Sequence, residues 1–198
     1  FVGKNDIGKS SILEVLDIFF NENKGVIKID KDDINKTALA DGDNEIVITV
    51  EFEELPTTIV IDSTNETTLQ NEHLLNQNGN LEIIKKYPNA GKEKVFVKAF
   101  HPNNPQCRDL LKKTNAELRT ILSNANIECE NRTINAVMRT AIWNNYADSL
   151  ELEDIEIDVT KGDTKSIWDK LQEYLPLYSL FQSDRKNSDG DSEVQDPL

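Results

Sequence analysis

Cysteine and histidine are scarce in this sequence, with two of each in 198 residues. Cys107 and Cys129 lack the spacing of a metal site, so we expect no zinc framework and two reduced thiols. His73 and His101 have no patterned nucleophile near them, and they are predicted to be surface or turn residues. These scarcities argue against a metal-centred site and against a Ser/His/Asp catalytic grouping.

Long apolar runs are also missing. No stretch approaches the ~20 apolar residues of a membrane-spanning helix, and no signal peptide precedes Phe1, so we expect a cytoplasmic protein without a membrane partner. A hydrophobic content of 37% and a charged content of 29% indicate a soluble globular protein. The length suits one large domain or one domain with an appended lobe. Because no methionine precedes Phe1, we expect the natural N-terminus to have been removed.

Positive charge is in short supply, with 22 basic against 36 acidic residues and a net charge of -14. A surface of this charge repels a phosphate backbone, so DNA contact is expected mainly outside this chain or on a local patch. One dense basic stretch exists, and it is predicted to be the solvated edge of a hairpin. It consists of Lys85, Lys86, Lys92, Lys94 and Lys98.

Hydrophobic periodicity predicts a helix over 9–20, a loop over 21–43, and then a series of strands without intervening helices. The predicted strands are 45–55, 57–62, 81–87 and 94–100. Short turns between successive strands imply an antiparallel meander.

From Pro105 the period changes to that of helices. The predicted elements are helices over 107–124 and 132–150, a short strand over 153–160, a helix over 165–174 capped by Thr164, and a buried strand over 177–181. Trp143, Tyr146 and Trp168 are predicted to pack in the interior, and the carboxylates of 150–158 to form a solvated acidic face.

The stretch "GKNDIGKSS" satisfies G-x-x-x-x-G-K-[ST] between an apolar strand-like pair and a helix. Gly3 and Gly8 let the backbone approach a phosphate closely, Lys9 reaches the β- and γ-phosphates, and the Ser10 hydroxyl ligates Mg²⁺. The helix that follows adds its positive N-terminal end. The predicted nucleotide-binding residues are Gly3, Lys4, Asn5, Asp6, Ile7, Gly8, Lys9, Ser10 and Ser11, with ATP and Mg²⁺ as ligands.

With Asn5, the loop reads G-x-N-x-x-G-K-S-[ST]-[ILV]-L, which resembles the Walker A motif of ABC-type ATPases of the SMC, RecF and OLD group. The segment "YLPLYSLFQSDRKNSDGDSEVQDPL" resembles part of the OLD-family (AAA_15-type) ATP-dependent endonucleases. The resemblance implies a P-loop NTPase of ABC-ATPase type, α+β or α/β in class. Its parts would be a P-loop strand and helix (1–20), a β-meander (45–101) and a helical part (105–174). Together, 1–182 would form the N-terminal portion of the ATPase domain, followed by a polar tail (183–198).

The same resemblance implies a homodimer formed through the nucleotide site, and Walker B, signature and nuclease elements that are not visible in this chain. We therefore expect the chain alone to bind Mg·ATP weakly and to hydrolyse it negligibly. Asp62, before Ser63, and Asp184 are poor Walker B candidates. For the Q-loop glutamine, which contacts Mg²⁺, the candidates are Gln106, Gln182 and Gln195, and Gln182 is preferred because it follows an apolar segment.

Two functions remain open at this point. The chain is either the ATP-binding lobe of an ATPase that couples hydrolysis to DNA processing or cleavage, or a nucleotide-sensing regulatory subunit of a bacterial defence complex. A self-contained kinase or GTPase is disfavoured, because those folds alternate strands and helices.

Overall fold

The computed structural model describes residues 9–22, 24–61, 65–161 and 164–180. Residues 1–8, with the predicted P-loop strand and most of the P-loop, lie outside these ranges, and so does the predicted tail. The helices are α1 (Lys9–Phe20), α2 (Lys36–Ala40), α3 (Asn115–Asn124), α4 (Asn135–Asn145) and α5 (Thr164–Leu171). The strands are β1 (Glu45–Phe52), β2 (Leu81–Pro88), β3 (Lys94–Pro102) and β4 (Leu152–Asp158).

The four strands form one antiparallel sheet in the order β1-β2-β3-β4. The meander predicted from the alternation of apolar residues is confirmed, and the strand predicted over 153–160 joins it as β4. Cross-strand pairs such as Val50 with Ile83 and Val97 with Ile157 share one face of the sheet. That face is buried, as expected when alternate residues of a strand point in opposite directions.

A single hydrophobic cluster joins the buried face of the sheet to helices α1, α3, α4 and α5. The predicted interior positions of Trp143 and Trp168 are confirmed, and Tyr146 is partly buried against the same cluster. The described residues contain no parallel strand pair, and the P-loop strand of the predicted class lies outside them.

Helix α1 has two unlike halves. Ile18 and Phe19 in its second half are buried in the core, whereas Ile12 and Val15 in its first half are 45% and 39% exposed. The second half of α1, far from the P-loop motif, is therefore buried more completely than the first half, although the same helical spacing runs through both.

Two predicted elements are wrong because apolar spacing was read without its hydrogen-bonding context. Residues 57–61 form only one isolated bridge, Ile59 with Thr67, although Ile59 is buried. The helix predicted to begin at 107 begins at Asn115, because Thr114 and Glu117 form a capping box there. Residues 107–114 instead make turns and a short 3₁₀ helix, Leu110–Lys112.

The chain also departs from prediction in two segments outside the sheet. The predicted loop over 21–43 contains the 3₁₀ turn Lys31–Asp33 and helix α2, whose N-terminal N–H groups are capped by the Asn35 side chain. Residues 177–180 are not a buried strand, since they have no strand pairing and Leu177 is fully exposed.

Helix α5 is shorter than predicted. It ends at Leu171 and is followed by the 3₁₀ turn Gln172–Tyr174. Thr164 is its first residue, and its hydroxyl lies within donating distance of the Asp158 and Lys161 carbonyl oxygens, at 2.8 and 2.6 Å. The Thr164 side chain thus ties the start of α5 back to the end of β4.

The basic stretch between Lys85 and Lys98 is not a uniformly solvated edge, so that prediction is wrong in part. Lys85 is 2% exposed and pairs with Glu93 at 3.2 Å. Its ammonium group also lies 5.1 Å from the ring centre of Phe19 and 5.5 Å from that of Trp168. A buried ammonium requires such partners because desolvation otherwise costs several kcal/mol.

We predict that Lys85→Ala lowers the free energy of unfolding by roughly 3–5 kcal/mol, because it leaves Glu93 unpaired and opens a cavity. Lys98→Ala is the matched control: Lys98 also pairs with a glutamate, Glu82 at 3.3 Å, but is 40% exposed. We expect it to cost less than about 1 kcal/mol. Urea unfolding of both variants measures the difference, and equal losses would contradict a structural role for burial at Lys85.

Candidate functional site

The start of α1 is the part of the predicted nucleotide site that the structure describes. Lys9 is the first residue of the helix, and Ser10 and Ser11 follow in its first turn with exposed side chains. The first turn carries no acidic residue. The first N–H groups of a helix have no partners within the helix, so this end can attract an anion. Gly3 to Gly8 and the Lys9 side chain lie outside the described residues.

The residues at the start of α1 suit the coordination that Mg²⁺ usually has when it binds together with a nucleotide. Mg²⁺ prefers oxygen ligands and keeps several waters, taking one or two protein ligands and the phosphates. The exposed Ser10 hydroxyl is such a ligand. Within the described ranges, no group of three or more His, Cys, Asp or Glu side chains could hold a metal ion on its own.

Asp17 fixes the other end of α1, and sequence reasoning missed it. Its buried carboxylate accepts hydrogen bonds from the main-chain N–H of Ile27 and the side-chain amide of Asn21, both at 2.8 Å. A Cβ atom added at Gly25 would lie 2.3 Å from the Asp17 carboxylate, so the returning chain contacts the helix closely. The sequence offered one signal for this contact, an aspartate within an apolar helix that is followed eight residues later by a glycine.

The segment after α5 also contacts α1. The Tyr178 hydroxyl donates to the Leu13 carbonyl at 2.9 Å, and the Tyr178 ring stacks on Phe20 with 5.7 Å between ring centres. The side-chain amide of Asn21 donates to the Tyr178 carbonyl at 3.4 Å. The chain that leads towards residue 182 is therefore held against the P-loop helix.

The other predicted polar candidates are not brought to this end of α1. Gln106 is exposed and lines a groove of about 510 Å³ to which no residue of α1 contributes. Gln182, Gln195 and the two candidate Walker B aspartates, Asp62 and Asp184, lie outside the described residues.

The prediction of surface or turn positions is confirmed for His73, which lies in a turn, and is wrong for His101. His101 lies in β3 and is buried, and His73 is half-buried in a turn. The His101 Nδ1 atom lies 2.8 Å from the His73 carbonyl oxygen, and both rings pack edge-on against Trp143. Burial lowers the pKa of both imidazoles, that of His101 to about 4. Their role is therefore in the core.

A family model described as an AAA ATPase domain matches residues 1–198. The chain therefore belongs to the AAA ATPase domain family, and ATP binding is the function that this membership indicates. No curated protein and no solved structure was found to match the chain. Among the described residues, no helix has both the length and the apolar character needed to cross a membrane.

The buried His101 makes stability depend on pH. Because its folded pKa is below the ordinary value, the unfolded chain binds the proton first as the pH falls. The contribution is fully present above about pH 6.5 and is lost as the pH falls to about 4. We predict a loss of about 2 kcal/mol between about pH 7 and about pH 5 from this residue.

Urea unfolding across this pH range, with wild type beside His101→Gln, measures that loss. The variant keeps a side-chain donor but does not titrate, so its stability should fall less steeply with acidification. The carboxylates titrate in both proteins and cancel in the comparison. Parallel pH profiles would show that His101 is not held neutral by burial.

Proposed function

We propose that this chain binds Mg·ATP at the N-terminal end of α1. The observation that carries the proposal is the exposed first turn of α1, with Ser10 and Ser11 and without an acidic side chain, directly after G-x-x-x-x-G-K-S. Helix dipole, free N–H groups and hydroxyls at one point suit a phosphate and its metal ion.

Each residue of the loop has a proposed role. Gly3 and Gly8 let the backbone surround the β-phosphate, Lys9 neutralises the β- and γ-phosphates, and Ser10 ligates Mg²⁺. Ser11 contacts the α-phosphate. The remaining loop residues, Lys4, Asn5, Asp6 and Ile7, supply main-chain N–H groups.

Gln182 is the proposed second contact to Mg²⁺. The segment that precedes Gln182 contacts α1 through the hydroxyl and ring of Tyr178. The groove at Gln106, in contrast, has no lining residue from α1. These contacts support the preference for Gln182 over Gln106.

We further propose that the protein belongs to the OLD, RecF and SMC group of ATPases. In its intact form it would dimerise through the nucleotide site and couple ATP hydrolysis to DNA processing or cleavage. The pattern around Asn5 supports this, together with the antiparallel meander that follows α1. Three lysines of the sheet are paired with glutamates, so the described part offers DNA little free positive charge there.

Binding of a fluorescent ATP analogue with Mg²⁺ tests the nucleotide site. We predict that Lys9→Ala weakens binding at least about tenfold, because a hydrogen bond to a charged group contributes roughly 1.5–3 kcal/mol. Lys24→Ala is the matched control, since it removes the same charge from a side chain that is 78% exposed. Equal affinities for wild type and Lys9→Ala would reject the proposed site.

Self-association tests the proposed dimer separately. We predict that Mg·ATP raises the apparent mass measured by light scattering in wild type and not in Lys9→Ala. Nucleotide binding that leaves the mass of wild type unchanged would retain the ATP site and reject dimerisation through it.

A further inference from the structure

A cleft of about 470 Å³ opens beside helix α1. The helix forms one wall, β1 forms the second, and the chain between the helix and the strand forms the third. The volume lies in the range of roughly 300–1,000 Å³ that is typical of small-molecule sites. The cleft is therefore large enough for a ligand. Its α1 wall consists of Ser11, Glu14, Val15 and Ile18.

The cleft begins at the proposed phosphate site. Ser11, the proposed contact to the α-phosphate, lines it, and Ile18 lines it seven residues further along the same helix. Seven residues of α-helix span about 10.5 Å. Because the nucleoside of ATP is bonded to the α-phosphate, it is the part of the ligand that lies next to the opening of this cleft.

The acidic side chains of the cleft favour the nucleoside over the phosphates. Glu14 lines the cleft from α1 and Asp33 from the 3₁₀ turn. The Asp33 carboxylate is held in place because it accepts from the main-chain N–H of Asp30 at 2.8 Å. Two carboxylates repel a triphosphate but accept hydrogen bonds from hydroxyl and amino groups. A nucleoside is uncharged and carries such donors, so it suits them.

A strand edge and apolar side chains complete the cleft. Four successive residues of β1, Ile46 to Thr49, line it, so the cleft runs along one edge of that strand. Among the described strands, β1 is the first in the sheet and pairs with β2 alone. Such an edge offers main-chain N–H and C=O groups with which a heterocyclic base can pair. Ile18 and Ile27 add apolar surface for the ring of the base.

We propose that this cleft holds the nucleoside part of the bound nucleotide. The inference rests on the proposed function. The base lies between α1 and the edge of β1, and the ribose, next to the α-phosphate, donates to the Glu14 carboxylate. The cleft thereby distinguishes a nucleoside triphosphate from other polyphosphates, which the P-loop motif alone does not do.

Ile12 provides a matched control for Val15. Both residues lie in the first half of α1, and they are 45% and 39% exposed. Val15 lines the cleft, and Ile12 does not. The substitutions Val15→Trp and Ile12→Trp add a similar bulk to the same half of the helix, but only Val15→Trp fills the cleft.

The experiment compares wild type, Val15→Trp, Ile12→Trp and Lys9→Ala in the 198-residue chain. Isothermal titration calorimetry measures the affinity for Mg·ATP and for Mg·tripolyphosphate, which lacks a nucleoside, and a melting curve checks that each variant is folded. We expect Val15→Trp to weaken Mg·ATP binding roughly 5-fold or more, the lower end of the cost of excess bulk in a filled site. Its affinity for tripolyphosphate, and both affinities of Ile12→Trp, should match wild type.

Two results would overturn the inference. The first is an unchanged affinity of Val15→Trp for Mg·ATP. The second is an equal loss for both ligands in Val15→Trp, or for Mg·ATP in both tryptophan variants, which would mean a general effect on α1. If wild type binds Mg·ATP but not tripolyphosphate, the comparison of the two tryptophan variants decides. Failure of the proposed function is distinguishable, because wild type would then bind neither ligand, or Lys9→Ala would bind Mg·ATP as tightly as wild type.

Discussion

The buried ammonium of Lys85 is the interaction on which the arrangement of the sheet and helices depends. It lies on the core face of β2, is neutralised by Glu93, and is enclosed by Phe19 of α1 and Trp168 of α5. A charge in this position is stable only while all of these neighbours stay in place. The Glu93 carboxylate also accepts from the Tyr87 hydroxyl, and burial, together with the charge of Glu93, raises the pKa of Tyr87. One polar group thus connects the sheet with helices α1 and α5.

Charge pairing across the sheet explains how an acidic protein can carry a lysine-rich stretch without forming a basic surface. Lys86 pairs with Glu156 of β4, and Lys98 pairs with Glu82 of β2. Glu156 of the acidic strand β4 therefore compensates a lysine of β2, two strands away in the sheet. In the proposed function, the attraction for phosphate lies at the start of α1, where the helix end would add to the charge of Lys9.

The sequence analysis succeeded where a repeated local spacing of apolar residues determined the element. Strict alternation in β1 was followed by burial of the expected face, and the three- and four-residue spacing in α1 was followed by burial in its second half. The analysis failed where one residue decided the outcome through a distant contact. Lys85 looked like a surface lysine because neither Glu93 nor Trp168 can be assigned to it from spacing. The Thr114 and Glu117 capping box, in contrast, was present in the sequence and would have placed the start of α3 correctly.

The candidate nucleotide site shows the same contrast between local patterns and distant contacts. The motif predicts Lys9, Ser10 and the helix that begins with them, because each position answers a local requirement of phosphate binding. It does not predict Asp17 or Tyr178, whose partners lie 10 and 165 residues away in the chain. Such partners become visible only when the fold brings the segments together.

The uneven burial of α1 gives these distant contacts their importance. Its second half is fixed by the core and by Asp17, whereas in its first half Ile12 and Val15 are exposed, and Val15 lines a cleft of about 470 Å³. Regions with few buried contacts open and shift most easily, and ligand-binding elements are commonly drawn from them. A single hydrogen bond, such as that of Tyr178 to Leu13, can therefore influence the first half of α1 more than an equal bond in the core would. The helix end that is expected to meet the nucleotide is the end whose position the rest of the described chain determines least.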